Sequence, residues 1–248
     1  MTFPTGPVTV PDVVDRIADG RDVTAVWVNE LGGTTFSVGA GADFVKVYPD
    51  ERAHPLAAEA PRLRWARRFT TVPDVVASGP GWLHTRGLPG RSAVDPRWAD
   101  EPRTAARAIG AGLRRLHDAL PVAGCPFGRP SWVPRDAPAA DRLVVCHGDA
   151  CSPNTLMADD GTFVGHVDLG DLGVAERWAD LAIATLSLDW NFSSGGQERS
   201  DPGNGIGGPG GFQAVLLDAY GVEPDAERIG YYRHAWDSAD DGEPASAG

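Results

Sequence analysis

The sequence predicts an α+β protein, with a small antiparallel sheet and one helix followed by a larger, mainly helical region. Three observations carry this. Short apolar runs separated by glycine turns fill the first third, a one-face apolar stripe at helical spacing opens the second region, and a Gly-Leu-Pro-Gly break at residues 87–90 divides them. At 248 residues the chain can bury a sizeable core, as one large domain or two small lobes.

Residues 24–29 (TAVWVN), 34–38 (TTFSV) and 44–48 (FVKVY) read as strands, separated by Gly32-Gly33 and by the Gly-Ala-Gly turn at 39–41. Strands this close together with glycine turns form an antiparallel meander. Residues 56–69 are helical in character, with Leu63 and Ala66 apolar among arginines and Pro61 placed in the first turn. Val75-Val76 and residues 82–85 complete the sheet, and a hinge follows at 87–90. From Pro102 the chain turns helical, with Ala105, Ile109, Leu113, Leu116 and Leu120 at three- and four-residue steps. Residues 121–141 are rich in Pro and Gly and lack periodicity. Leu143-Val144-Val145 is an apolar run, and 178–188 read as a buried helix. Residues 193–211, with eight glycines, read as a flexible loop. Helices are expected at 212–220 and 226–236, then a disordered polar tail from Asp237.

Composition narrows the function. Hydrophobic residues make up 42% and charged residues 23%, as in a folded globular chain. Thirty-four acids against 22 bases leave a net charge of −12, which argues against nucleic acid as the main partner. No apolar run is long enough to span a membrane, and the N-terminus lacks a basic flank, so the chain reads as cytoplasmic, with no membrane partner. Cys125, Cys146 and Cys151 form no CxxC pair and are odd in number, against a disulfide framework or zinc site. A monomer or a dimer fits these properties equally.

One count is sharper. Of the 22 basic residues, 21 are arginine and one, Lys46, is lysine. Where arginine serves for every surface charge, a single retained lysine is a candidate for a task needing a compact ammonium on a flexible stem, such as a point charge among phosphates. A chance survivor on a solvated face is the competing reading.

Residues 143–181 read LVVCHGDACSPNTLMADDGTFVGHVDLGDLGVAERWADL. An apolar run delivers His147-Gly148-Asp149 into a loop, and Asn154 follows five residues after the aspartate. A hairpin turn at Asp159-Asp160-Gly161 then leads into a second strand that ends at Asp168. The hairpin places Asn154 and Asp168 close together, and two oxygen donors suit a hard cation such as Mg²⁺. Asp149 lies upstream, able to take a proton from an incoming hydroxyl. Taken singly, each has an ordinary reading as an Asx turn, a helix cap or a loop aspartate. The combination, with the strand lysine and Glu59 downstream on a helix, is the parts list of kinase-type phosphoryl transfer.

The block resembles the aminoglycoside phosphotransferases, and HGDACSPN with GHVDLGDLGVAERWADLAIAT looks most like their 3'-phosphotransferase branch. NELGGTTF, FVKVYP, LPGR, LHDALP, CPF and AYGVEPDAERIGYYR extend the likeness over nearly the whole chain. The resemblance implies a bilobal, protein-kinase-like fold, with a nucleotide-binding lobe at 1–87 and a catalytic and acceptor-binding lobe at 88–248. It implies ATP or GTP and Mg²⁺ as cofactors and a small-molecule acceptor, an antibiotic above all. Asp149 matches the catalytic aspartate, Asn154 and Asp168 the magnesium ligands, Lys46 the phosphate-holding lysine and Glu59 its helix partner. Gly32 and Gly33 match the nucleotide flap. Residues 84–87, with Thr85 and Gly87, match the hinge that binds the purine through backbone groups. His147 and Asp180 match positions that brace the catalytic loop.

The departures gather on the acceptor side. The family carries a longer helical segment between CPF and the catalytic histidine, where this chain has only residues 128–146 with two acids. Asp237 beside Trp236 stands near the position of a terminal acidic-aromatic motif, and Trp190 follows a helix where relatives turn acidic. These three are candidate acceptor contacts, with the tryptophans able to stack on a flatter acceptor or to serve as core. Asp171, arginine in some relatives, either weakens nucleotide binding or faces solvent. Two other functions remain open: a kinase for a nucleoside-type antibiotic or other hydroxylated metabolite, and a nucleotide-binding pseudokinase.

Overall fold

The alternation of Phe36, Val38 and Val45 with Thr35, Ser37 and Lys46 is what the first sheet is built on. The computed structural model describes residues 4, 6–29, 32–48, 56–192 and 211–240. It divides into two units, Met1–Pro89 and Gly90–Gly248.

The first unit opens with α1 (Asp12–Ala18) and continues through β1 (Val23–Val28), β2 (Thr34–Val38), β3 (Asp43–Val47), α2 (Leu56–Ala66), β4 (Val75–Gly79) and β5 (Trp82–Arg86). The strands form one sheet in the order β1-β2-β3-β5-β4, antiparallel throughout. Side chains alternate across a strand, so Val45 and Lys46 stand on opposite faces. Val45 joins Phe36, Val38, Val14 and Ala18 in a core that α1 covers. Lys46 lies opposite Thr35 on one side and Leu83 on the other. The sequence reading omitted α1, whose apolar residues Val13, Val14 and Ile17 span too short a window to show a period.

Two expectations about α2 change. The helix ends at Ala66 rather than at 69, because Arg68 and Phe69 bond back only three residues, to Trp65 and Ala66, tightening the last turn. Pro61 lies inside the helix rather than in its first turn. It removes one i→i−4 bond, and burial of Leu56, Ala60, Leu63 and Trp65 on the same helix offsets that loss.

The second unit contains β6 (Arg91–Ser92), α3 (Pro102–Ala119), β7 (Leu143–Cys146), β8 (Thr155–Met157), β9 (Phe163–His166), β10 (Gly173–Glu176), α4 (Arg177–Phe192), α5 (Phe212–Tyr220) and α6 (Ala226–Asp240). β7 pairs with β10, while β6, β8 and β9 form a three-stranded sheet around the Asp159–Gly161 turn. The stripe on α3 is buried as its spacing predicts, from Ala105 through Ile109, Leu113 and Leu116 to Leu120. Gly110 lets α5 lie against α3, since a Cβ there would collide with the Leu216 carbonyl. α6 continues to Asp240, so residues 237–240 are helical and not tail. Residues 193–210 of the glycine-rich loop and 241–248 of the tail lie outside the described residues. Among the described residues no helix is long and apolar enough to cross a membrane.

Candidate active site

In the first unit, strand alternation aims Lys46 at α2. Its Nζ donates to both carboxylate oxygens of Glu59, at 2.9 and 3.0 Å. The side chain of Glu59 is 3% exposed and that of Lys46 20%, so the pair is largely buried. Asn29 accepts from the Gly33 N–H at 2.7 Å through Oδ1, and its Nδ2 donates to the Tyr48 hydroxyl. A Cβ on Gly33 would strike the Tyr48 ring, so glycine is required for that turn to close. Gly32, at φ 78°, adopts the left-handed conformation beside it. Thr85 is buried in β5, paired with Phe44. The N–H groups of Arg86 and Gly87 donate to Asp74 and Ala42 carbonyls at 2.8 and 2.9 Å. Those two hinge donors are therefore engaged within the sheet.

In the second unit, β7 ends at Cys146 and the chain turns through Gly148, at φ 87°. Asp180, on the first turn of α4, accepts the His147 N–H at 2.6 Å and the Gly148 N–H at 3.0 Å. His117 adds a third contact at 2.9 Å through Nε2, and its Nδ1 meets the Tyr220 hydroxyl at 2.8 Å. Burial alone would raise the Asp180 pKa, but these bonds and the nearby histidines hold it below the usual value. The loop is thus braced on a buried carboxylate.

Asp149 follows. The Asn154 Nδ2 donates to its carbonyl and to its Oδ2, both at 3.0 Å. Its other oxygen, Oδ1, is buried and receives no bond from nitrogen or oxygen among the described residues. The Cys151 thiol lies against the carboxylate, and Ser187 fixes that turn by accepting the Ser152 N–H at 2.9 Å. Burial first, and the charge of Asp168 second, push the Asp149 pKa up. Asp168 comes to Asp149 through the hairpin, where Val167 donates to the Asn154 carbonyl at 3.0 Å. Its backbone sits at φ 62°, a conformation that costs a non-glycine residue about 1–2 kcal/mol.

Chemically, this is a carboxylate beside two oxygen-bearing side chains, on a loop held by buried hydrogen bonds. The model of the phosphotransferase enzyme family matches residues 13–136 and 130–232, nearly the whole chain. The chain belongs to that family. Among its relatives, streptomycin 3''-kinase from Streptomyces griseus is 32% identical, over 87% of this chain and 91% of the relative. An aminoglycoside 3'-phosphotransferase from Streptomyces fradiae is 31% identical, over 75% and 80%. The aminoglycoside phosphotransferase APH(3'')-Id from Streptomyces rimosus superposes with a TM-score of 0.66 at 24% identity, over 91% and 98%. That enzyme was also solved in complex with ADP and streptomycin. The bilobal kinase-like fold and the phosphotransferase class are therefore established, and relatives named for both the 3' and the 3'' position occur.

Within this phosphotransferase the predicted residues fall into two sets. Lys46 and Glu59 meet, and Asp149, Asn154 and Asp168 gather. The acceptor candidates behave differently. Trp190 is 47% exposed and so is not a core residue. Trp236 packs edge-on against Trp132, with centroids 5.1 Å apart. Asp237 places its charge near the buried guanidinium of Arg233, one helical turn earlier. The part-exposed Asp171 carboxylate accepts the Ser131 N–H at 2.7 and 2.9 Å and the Ser131 hydroxyl at 3.0 Å. The sequence reading missed Trp132, Ser187 and Cys151. Cys151 lies inside HGDACSPN, two residues after Asp149, whereas Trp132 and Ser187 stand outside that motif and reach the loop through tertiary packing.

Proposed function

We propose that this phosphotransferase moves the γ-phosphoryl group of ATP or GTP to a hydroxyl of an aminoglycoside-like antibiotic, with Asp149 as the base. The observation that carries this reading is the Asp149 carboxylate. Asn154 holds one oxygen, and the other is buried without a nitrogen or oxygen donor among the described residues. The partly exposed Asp149 carboxylate is the acceptor for the proton of the incoming hydroxyl, at a group whose pKa burial and the charge of Asp168 push up. As the hydroxyl oxygen bonds to the γ-phosphorus, the bond to the bridging oxygen breaks and the nucleoside diphosphate leaves.

Asn154 and Asp168 fit a divalent cation. The charge of Asp168 acts on Asp149, and a cation would relieve that repulsion. With its Nδ2 turned to Asp149, Asn154 keeps its side-chain oxygen as a hard donor. Bound there, Mg²⁺ would neutralise charge on the phosphate oxygens. Lys46, held by Glu59, is a cation of the kind that meets a nucleotide phosphate. Asp180 keeps the loop in place without touching substrate.

One observation favours a second acceptor class. Of the two acids in the short segment 128–146, both exposed, Asp141 is paired with Arg177 and the Trp178 indole N–H, so among the described residues Asp136 is the one carboxylate there outside an ion pair. A polycation finds little carboxylate there, so a less charged hydroxylated acceptor is the alternative. The test is nucleoside diphosphate release with Mg²⁺, wild type beside Asp149→Ala, across 3'- and 3''-hydroxyl aminoglycosides and nucleoside antibiotics. Stimulation that the variant abolishes, with nucleotide binding kept and a phosphorylated product found, supports the reading. Undiminished turnover in Asp149→Ala would sink it, and stimulation only by nucleosides would move the acceptor to the second class.

A further inference from the structure

The shortened segment does more than shorten the chain. Pro130 leads into Ser131 and Trp132, and both are tied to the far side of the catalytic loop. The Trp132 indole Nε1 donates to the Gly148 carbonyl at 2.7 Å. Asp171 anchors the neighbouring residue through the Ser131 N–H and hydroxyl. Gly128 accepts the Val174 N–H at 2.8 Å, so the start of the segment is pinned to β10 as well. The loop backbone passes close to Asp171 at Gly148, where a Cβ would collide with the Asp171 carbonyl.

The peptide unit between Gly148 and Asp149 is consequently held at both ends. Its carbonyl accepts from the Trp132 indole, and its N–H points to His147 Nδ1 at 3.3 Å. A peptide unit is planar, so fixing its carbonyl direction fixes the direction from which the Asp149 Cα emerges. The second support is the long one, near the limit of a hydrogen bond, which leaves the indole bond as the stronger restraint. The ring of Trp132 is itself caged on α6. It lies edge-to-face with Trp236, at 5.1 Å and 79°, and with Tyr232, at 6.3 Å and 89°. Tyr232 is anchored in turn by its hydroxyl bond to Glu176 at 2.9 Å.

We infer that Trp132 is a positioning residue for the transfer step: its indole N–H sets the orientation of the Gly148–Asp149 peptide, and through it the aim of the Asp149 carboxylate. This rests on the reading of Asp149 as the base. A group that aims the base acts on the chemical step and not on nucleotide binding. Small misplacements of a catalytic group lower turnover by on the order of a hundredfold.

The experiment is a double-mutant cycle on the full chain with Mg–nucleotide and an active acceptor. Trp132→Phe keeps an aromatic ring in the cage while removing the N–H together with one of the two fused rings. Turnover is expected to fall by about tenfold to a hundredfold, with the nucleotide KM, the melting temperature and the near-ultraviolet circular dichroism close to wild type. In the Asp149→Ala background the same substitution is expected to change residual turnover by less than about twofold, because a residue acting through Asp149 has nothing left to aim. Unchanged kcat in Trp132→Phe overturns the inference, as does a loss of the same size in both backgrounds. Should Trp132→Phe not fold, Trp132→Tyr is read by the same criteria. If Asp149→Ala itself keeps full turnover, the base assignment fails first, and that outcome is distinct from an Asp149-dependent enzyme indifferent to Trp132.

Discussion

Asn154 gives both side-chain amide hydrogens to Asp149, one to its carbonyl and one to its carboxylate, each at 3.0 Å. One residue therefore orients the proposed base while keeping an oxygen for a cation. Asn154→Ala is expected to weaken Mg²⁺ activation by at least about tenfold and to lower turnover at saturating Mg²⁺ as well. Titrating turnover against Mg²⁺ separates the two effects. A half-activating concentration equal to that of wild type removes Asn154 from the ligand set.

The ion pair between Lys46 and Glu59 makes a prediction of its own. A hydrogen bond between charged groups contributes about 2 kcal/mol, so Lys46→Ala is expected to raise the nucleotide KM roughly thirtyfold while leaving the acceptor KM near wild type. Glu59→Gln keeps the shape and removes the charge that steers Lys46, and a smaller rise in the same constant is expected. Steady-state kinetics with each substrate varied in turn provides the check. A change confined to the acceptor KM contradicts the assignment.

Gly148 combines a left-handed backbone with a closed space beside Asp171. Gly148→Ala therefore meets both conformational strain and a collision. A cost of about 2 kcal/mol or more is expected from the backbone alone, with turnover falling further than stability because the displaced unit carries Asp149. Denaturant unfolding and kcat on the same preparation test this. A variant of wild-type stability shows that the loop yields at no cost.

His166 sets a pH dependence of stability. It is buried on β9 against His147 and Phe163, and burial lowers its pKa from 6.5 to about 3. Between those values the unfolded chain binds a proton that the folded chain does not, so stability is full above pH 6.5 and declines as pH falls toward 3. The slope from this residue approaches about 1.4 kcal/mol per pH unit. His166→Phe is expected to flatten the decline between roughly pH 6 and 4, whatever constant offset the lost polar contacts add. Unfolding free energies measured across that range decide it, and equal slopes would falsify the assignment.

The sequence by itself pointed to the proposed machinery. Lys46 stood out by count, and Asp149, Asn154 and Asp168 by their spacing across a hairpin, because chemistry of this kind needs particular residue types at short intervals along the chain. The α3 stripe and the strands 34–38 were equally legible, since their burial follows from periods of 3.6 and 2. What only the tertiary structure decided lies in contacts between distant segments. Asp171 takes up Ser131, and Trp132 arrives at Gly148 from a stretch without periodicity. Helix α1 was hidden for a related reason, being too short for its pattern to repeat. A hydrogen bond across a fold depends on where two chain segments meet, and local spacing holds no record of that meeting.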